Sequence, residues 1–195
     1  RLFRNPFVLF VLVPLYLLLI HQRFPSPAVG RRERLGVHWT NGALLAIAVV
    51  MSMTIGIKAY LLIQLPVMMI TGTVGLWLFY VQHQFEGVYW QRRKDWGFAE
   101  AALSGSSFYK LPRILQWFSG NIGFHHIHHL SPRIPNYNLE KCHQAEPLFQ
   151  SVRPITLLSS LRSFTYRLWD EQRGKLIGYR RLRELRRQQV GPFRP

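Results

Sequence analysis

Over residues 41–80 the only formally charged side chain is Lys58, and this depletion constrains the fold more than any other feature of the chain. A water-exposed domain carries about one charged residue in every four, so a run of this length with a single charge points to a bilayer. The run divides at Lys58-Ala59. Residues 39–57 and 60–82 each offer about 20 positions dominated by apolar side chains, enough to cross a hydrocarbon core of about 30 Å as a helix. Joined so closely, they are expected to form a transmembrane hairpin. An earlier apolar stretch, residues 6–20, holds Pro14 and covers only about 22 Å as a helix. It is expected to be interfacial or re-entrant.

Charge sets the orientation. The formal net charge is +16, from 25 Lys and Arg against 9 Asp and Glu. Such an excess serves either nucleic acid or the cytoplasmic face of a membrane, where basic loops are retained and anionic lipid attracts them. No helix-turn-helix, zinc-finger or aromatic RNA-binding pattern accompanies it, so nucleic acid is not expected as a partner. The connector over residues 21–38 carries Arg23, Arg31, Arg32 and Arg34 against Glu33, and the chain beyond His83 is basic overall. Both are expected on the cytoplasmic side of the cell membrane. The single cysteine, Cys142, allows no internal disulfide and no cysteine-based zinc site, leaving histidine and carboxylate as metal ligands. The sequence opens with Arg1 and shows no signal-peptide pattern; it reads as a truncated chain.

Two regions follow: a membrane region over residues 1–82 and a cytoplasmic region over residues 83–195. The second is punctuated by Gly105, Pro112, Pro132, Pro135, Pro147 and Pro154, which predicts short helices. The fold class expected is therefore all-α integral membrane, a helical hairpin plus a helical region bearing histidines. The arginine-rich tail, residues 173–187, interleaves Leu176, Ile177, Leu182 and Leu185. It reads as an amphipathic helix on anionic lipid or as a solvated charged helix.

The chemistry is concentrated in Phe124-His125-His126-Ile127-His128-His129-Leu130. On a helix, His125, His128 and His129 stand at i, i+3 and i+4, so their rings leave one face and can converge on a metal. His126 points about 100° away. Neutral imidazole binds iron, zinc and copper well, and several on one turn are hard to account for by packing. His83, at the end of the last apolar stretch, is a further candidate ligand. Asn121, four residues before His125, is expected to orient a ligand ring or water from the same face. Glu86 lacks the paired Glu-x-x-His pattern of carboxylate-bridged iron sites. His143, His21 and His38 are read as structural or interfacial.

The motifs Phe79-Tyr80-Val81-Gln82-His83-Gln84-Phe85-Glu86, Gly105-Ser106-Ser107-Phe108-Tyr109 and Gly120-Asn121-Ile122-Gly123-Phe124-His125-His126-Ile127-His128-His129-Leu130-Ser131-Pro132-Arg133-Ile134-Pro135-Asn136-Tyr137 closely resemble bacterial acyl-lipid fatty acid desaturases. The likeness extends to Arg4-Asn5-Pro6 and to Arg167-Leu168-Trp169-Asp170. It implies an integral-membrane enzyme that uses a di-iron centre, dioxygen and two electrons from a ferredoxin or b-type cytochrome. The product is a double bond in an acyl lipid or acyl thioester. Matched to that family, His125, His128 and His129 fill the third histidine box and His83 the additional ligand preceding it. The family's first two boxes have no counterpart here, so a fragment inactive by itself is expected. A related membrane hydroxylase or carotenoid oxygenase, and a non-catalytic metal-binding or interaction module, are the alternatives.

Overall fold

A computed structural model describes residues 5–189. Arg4 of the opening motif and the outer ends of the two expected regions lie outside these residues. The chain divides into two compact units, Arg1–Trp77 and Leu78–Pro195.

In the first unit a π-helical turn, Val8–Leu12, runs into α1, Val13–Leu19, and a 3-10 turn, His21–Arg23. Two long helices follow, α2 over Arg31–Ile55 and α3 over Ile57–His83, the latter continuing into the second unit. Pro14 accounts for the irregular first helix, because it has no N–H to offer the Phe10 carbonyl. The hydroxyl of Thr73 on α3 donates to that carbonyl at 2.6 Å instead. Gly72 beside it makes the approach possible: a Cβ there would stand 2.8 Å from Pro14 Cβ and 3.0 Å from Leu18 Cδ1.

α2 starts well before residue 39, at Arg31. Its first turn is held by the Glu33 carboxylate, which accepts the Gly30 N–H at 2.6 Å, and an acid there also suits the helix dipole. The break between the long helices is a single residue, Gly56, at φ 85° and ψ 146°, a conformation that costs little only for glycine. Lys58 and Ala59, the expected connector, lie inside the first turn of α3. Both helices are long and apolar enough to cross a bilayer, and none of either apolar window is buried within the protein.

The second unit departs from the all-α expectation. It is mostly helical but includes two small two-stranded sheets. After α4, Phe98–Ser104, come β1, Phe108–Lys110, and α5, Arg113–Phe118. The histidine-rich segment forms α6, His125–Leu130. A 3-10 turn, Asn136–Asn138, leads to α7, Leu139–Ala145, and α8, Pro147–Gln150. Next are β2, Pro154–Thr156, and α9, Leu157–Ser160, the latter started by reciprocal capping between Thr156 and Ser159. The hairpin of β3, Leu168–Asp170, and β4, Lys175–Ile177, precedes α10, Tyr179–Gln189. Strands of three residues are too short to show a period of two, which is why the sequence reading passed over them.

The first sheet positions the histidines. β1 pairs in parallel with β2, with Tyr109 opposite Ile155, while Phe108 bridges antiparallel to Phe124. The Tyr109 N–H also donates to the Gly123 carbonyl at 2.7 Å. Gly123 tolerates no side chain at this crossing, since a Cβ would lie 2.4 Å from the Tyr109 carbonyl oxygen. Beneath α6 a small apolar core forms from Phe124, Ile127 and Leu139, with Phe108, Ile134, Cys142 and Phe149 packed around it.

Candidate metal centre

Within the second unit, three side chains at and just after the end of α3 tie it to neighbouring segments. Tyr80 donates through its hydroxyl to the Ser163 carbonyl, Gln82 through its amide to the Ile122 carbonyl at 3.0 Å, and Gln84 to the Tyr166 carbonyl. Val81 and Gln82 are fully buried. The ring of His83 is thereby set beside α6. Its Nε2 lies 3.0 Å from Nε2 of His125 and 3.2 Å from Nε2 of His129, and those two are 3.0 Å from each other.

Hydrogen bonding does not account for this triangle. Nδ1 of His83 faces the Gly105 carbonyl oxygen at 3.2 Å, and a carbonyl oxygen only accepts. Nδ1 therefore carries the His83 proton and its Nε2 presents a lone pair. At most two protons, those of His125 and His129, remain for three N···N contacts. A cation held by the three nitrogens would satisfy all of them. A triangle of this size has its centre about 1.8 Å from each corner, close to the length of an imidazole–metal bond, ~2.0–2.1 Å, so the donor set would suit one metal ion. The electrostatics agree. Burial first, then the imidazoles of His129 and His83, push His125 down to about 3. Burial followed by His83 and His128 lowers His129 as well. Both rings are neutral at neutral pH, with lone pairs free for a metal.

The family model for fatty acid desaturases matches residues 1–154. The chain belongs to the fatty acid desaturase family. It is 45% identical over 185 residues to a fatty acid desaturase of Bacillus subtilis (strain 168), covering 95% of this chain and 53% of that protein. Over 65 residues it is 35% identical to a chloroplastic omega-6 fatty acid desaturase of Spinacia oleracea, covering 33% of this chain and 14% of that protein. Over 63 residues it is 36% identical to an sn-1 oleoyl-lipid 12-desaturase of Synechocystis sp. (strain ATCC 27184 / PCC 6803 / Kazusa), covering 32% and 18% of the two chains. The chain thus spans about half the length of the Bacillus subtilis relative.

In this family member the four expected ligands divide three to one. His83, His125 and His129 converge. The ring of His128 stands 5.7 Å from that of His125 and 6.0 Å from that of His129, centroid to centroid, outside the triangle. The expected helical face therefore pairs i with i+4, and His83 takes the third corner.

Asn121 departs from its expected place. The helix starts only at His125, so Asn121 stands ahead of it in a turn, at φ 58°. Its amide donates to the Asn136 carbonyl at 3.0 Å, bracing the loop after α6 rather than a ligand ring. His126 is fully buried against Phe108, Phe149 and His143, and burial with the nearby His143 lowers it to about 4. It is a core residue. Glu86 is exposed and pairs with Arg153 at 3.4 Å. His21 and His38 belong to the first unit and are exposed.

The sequence reading missed the groups that orient His83. The Gly105 carbonyl is backbone, and no residue type announces it. Gln82 and Gln84 did carry a signal, two amides at the end of an apolar stretch that need partners once buried. Next to His83 and His129 the structure also forms a cleft of about 330 Å³, walled by Tyr89, Trp90, Trp96 and Phe98 over the small side chains of Ala101 and Ala102.

Proposed function

We propose that this chain carries part of a di-iron site that introduces a double bond into a fatty acyl chain, using dioxygen and two electrons. The convergence of three Nε2 atoms within 3.2 Å in a fatty acid desaturase family member is the observation that carries the reading. His83, His125 and His129 would hold one iron, and His128, turned aside from them, would contribute to the second. Iron held there would supply the dioxygen chemistry that removes two hydrogens from adjacent methylenes. Four imidazoles do not fill two iron sites, and they bring no negative charge to offset the metal. The remaining ligands belong outside these 195 residues, and the chain alone is expected to bind iron weakly and to turn over nothing.

The chain's own residues supply position and environment. The Gly105 carbonyl keeps the His83 lone pair on the metal side, and burial keeps the His125 imidazole unprotonated. An unactivated methylene offers no polar handle, so selectivity requires an apolar cleft at a fixed distance from the metal. The aromatic cleft beside His83 and His129 has that composition and place. An acyl lipid is the substrate class favoured, in keeping with the oleoyl-lipid named for the Synechocystis relative. In this reading α2 and α3 cross the cell membrane as a hairpin, with the basic connector and the histidines on the cytoplasmic side. A ferredoxin or b-type cytochrome brings the electrons from there.

Mass spectrometry of lipids from a host expressing the full-length gene tests this, with iron measured on the purified protein. A new acyl double bond is expected, together with loss of product and of iron in His83→Ala, His125→Ala and His129→Ala. A hydroxylated product without a double bond would replace desaturation by hydroxylation. Unchanged iron and product in His125→Ala would sink the ligand assignment.

A further inference from the structure

α10 divides its side chains by sign as well as by polarity. Arg181, Leu182, Glu184 and Leu185 are half-buried on its inner side, while Tyr179, Arg180, Arg183, Arg186 and Arg187 are exposed on the outer one. Glu184 is the single acid over residues 173–189, against seven basic residues. Its carboxylate is shared between Arg181 at 3.0 Å and Arg180 at 3.6 Å. Among the described residues Arg183, Arg186 and Arg187 have no carboxylate partner. Neither the metal centre nor the cleft makes use of this surface.

We infer that the outer face of α10 docks on anionic lipid headgroups at the bilayer surface. A guanidinium offers paired donors to a phosphate and is less strongly hydrated than an ammonium, so it gives up water readily at a headgroup layer. Several of them on one helix face add their attraction to a negatively charged leaflet. Tyr179 suits the same depth, with an apolar ring and a polar tip. A specific protein interface is built differently, around a desolvated centre of anchoring side chains with charge at the rim. Among the described residues the outer face of α10 carries Arg180, Arg183, Arg186 and Arg187 and no such centre. An acidic protein is therefore the less favoured occupant. The inference adds a contact for this helix and is independent of how iron is bound.

Hydrogen exchange of the full chain in lipid nanodiscs decides it. In phosphatidylcholine discs the amides of residues 179–189 are expected to exchange quickly. Mixing in phosphatidylglycerol should slow them by about tenfold or more, and raised salt should reverse the effect. The triple variant Arg180→Gln, Arg183→Gln, Arg187→Gln should abolish the slowing, and the matching Arg→Lys triple should keep most of it, which separates loss of charge from loss of helix. Equal exchange in both lipids overturns the inference, as does slowing that the Gln triple leaves intact. Slowing by added polyglutamate but not by phosphatidylglycerol overturns it in favour of an acidic polypeptide.

Discussion

α2 and α6 are helices of opposite kinds. The 25 residues of α2 include none that is buried, although it is rich in Leu, Ile, Val and Met. The six residues of α6 include His125, His126 and Ile127, all buried. A helix of six residues has no stability of its own in water, because nucleation costs more than so few hydrogen bonds return. α6 exists because β1, α4 and α7 surround it. For α2 the position is reversed. Its backbone bonds are local, and its apolar side chains stay largely exposed, in the proposed function to lipid.

Substitutions can break this comparison, and the largest effect is expected in the short helix. Ile127→Ala empties the centre of the Phe124–Ile127–Leu139 core and should cost about 2–5 kcal/mol, read as a lowered unfolding midpoint of the second unit in denaturant. A cost below about 0.5 kcal/mol would mean that α6 is held by something other than this core. Gly123→Ala drives a Cβ to 2.4 Å from the Tyr109 carbonyl. It should cost about 1–3 kcal/mol and, by shifting the start of α6, weaken the iron binding proposed for His83, His125 and His129. If stability falls while iron affinity holds, the β1 crossing does not position the site.

The apolar unit should respond less. Thr73→Val removes the hydroxyl that serves the Phe10 carbonyl and should cost about 1–3 kcal/mol, seen as faster amide exchange over Val8–Leu12 with the long helices unaffected. Met53→Ala, at a side chain 82% exposed, should change thermal stability in bilayers by less than about 0.5 kcal/mol. A large loss there would show that α2 has a protein partner and not only lipid.

Part of the site was legible beforehand for local reasons. The i, i+4 spacing of His125 and His129 brings their rings together on any helix, and His83 drew notice by ending an apolar stretch. The exclusion of His128 from the triangle was not legible. It depends on the direction from which α3 brings His83, which spacing within one helix does not contain. Helical spacing puts Asn121 on the face of His125 only if the helix reaches back that far, and it does not: Gly120 and Asn121, at φ 62° and 58°, turn the chain just before His125. The early start of α2 was written in Gly30 and Glu33 but obscured by the charges around them.

The sequence by itself determined which segments are too apolar for water and which imidazoles share a helix turn, because charge depletion and helical spacing are properties of neighbouring residues. Only the tertiary structure decided which three nitrogens meet and which tautomer His83 adopts. Those outcomes rest on the Ile122, Gly105 and Gly123 carbonyls, which join segments 14 to 40 residues apart, and a backbone acceptor leaves no mark in residue type.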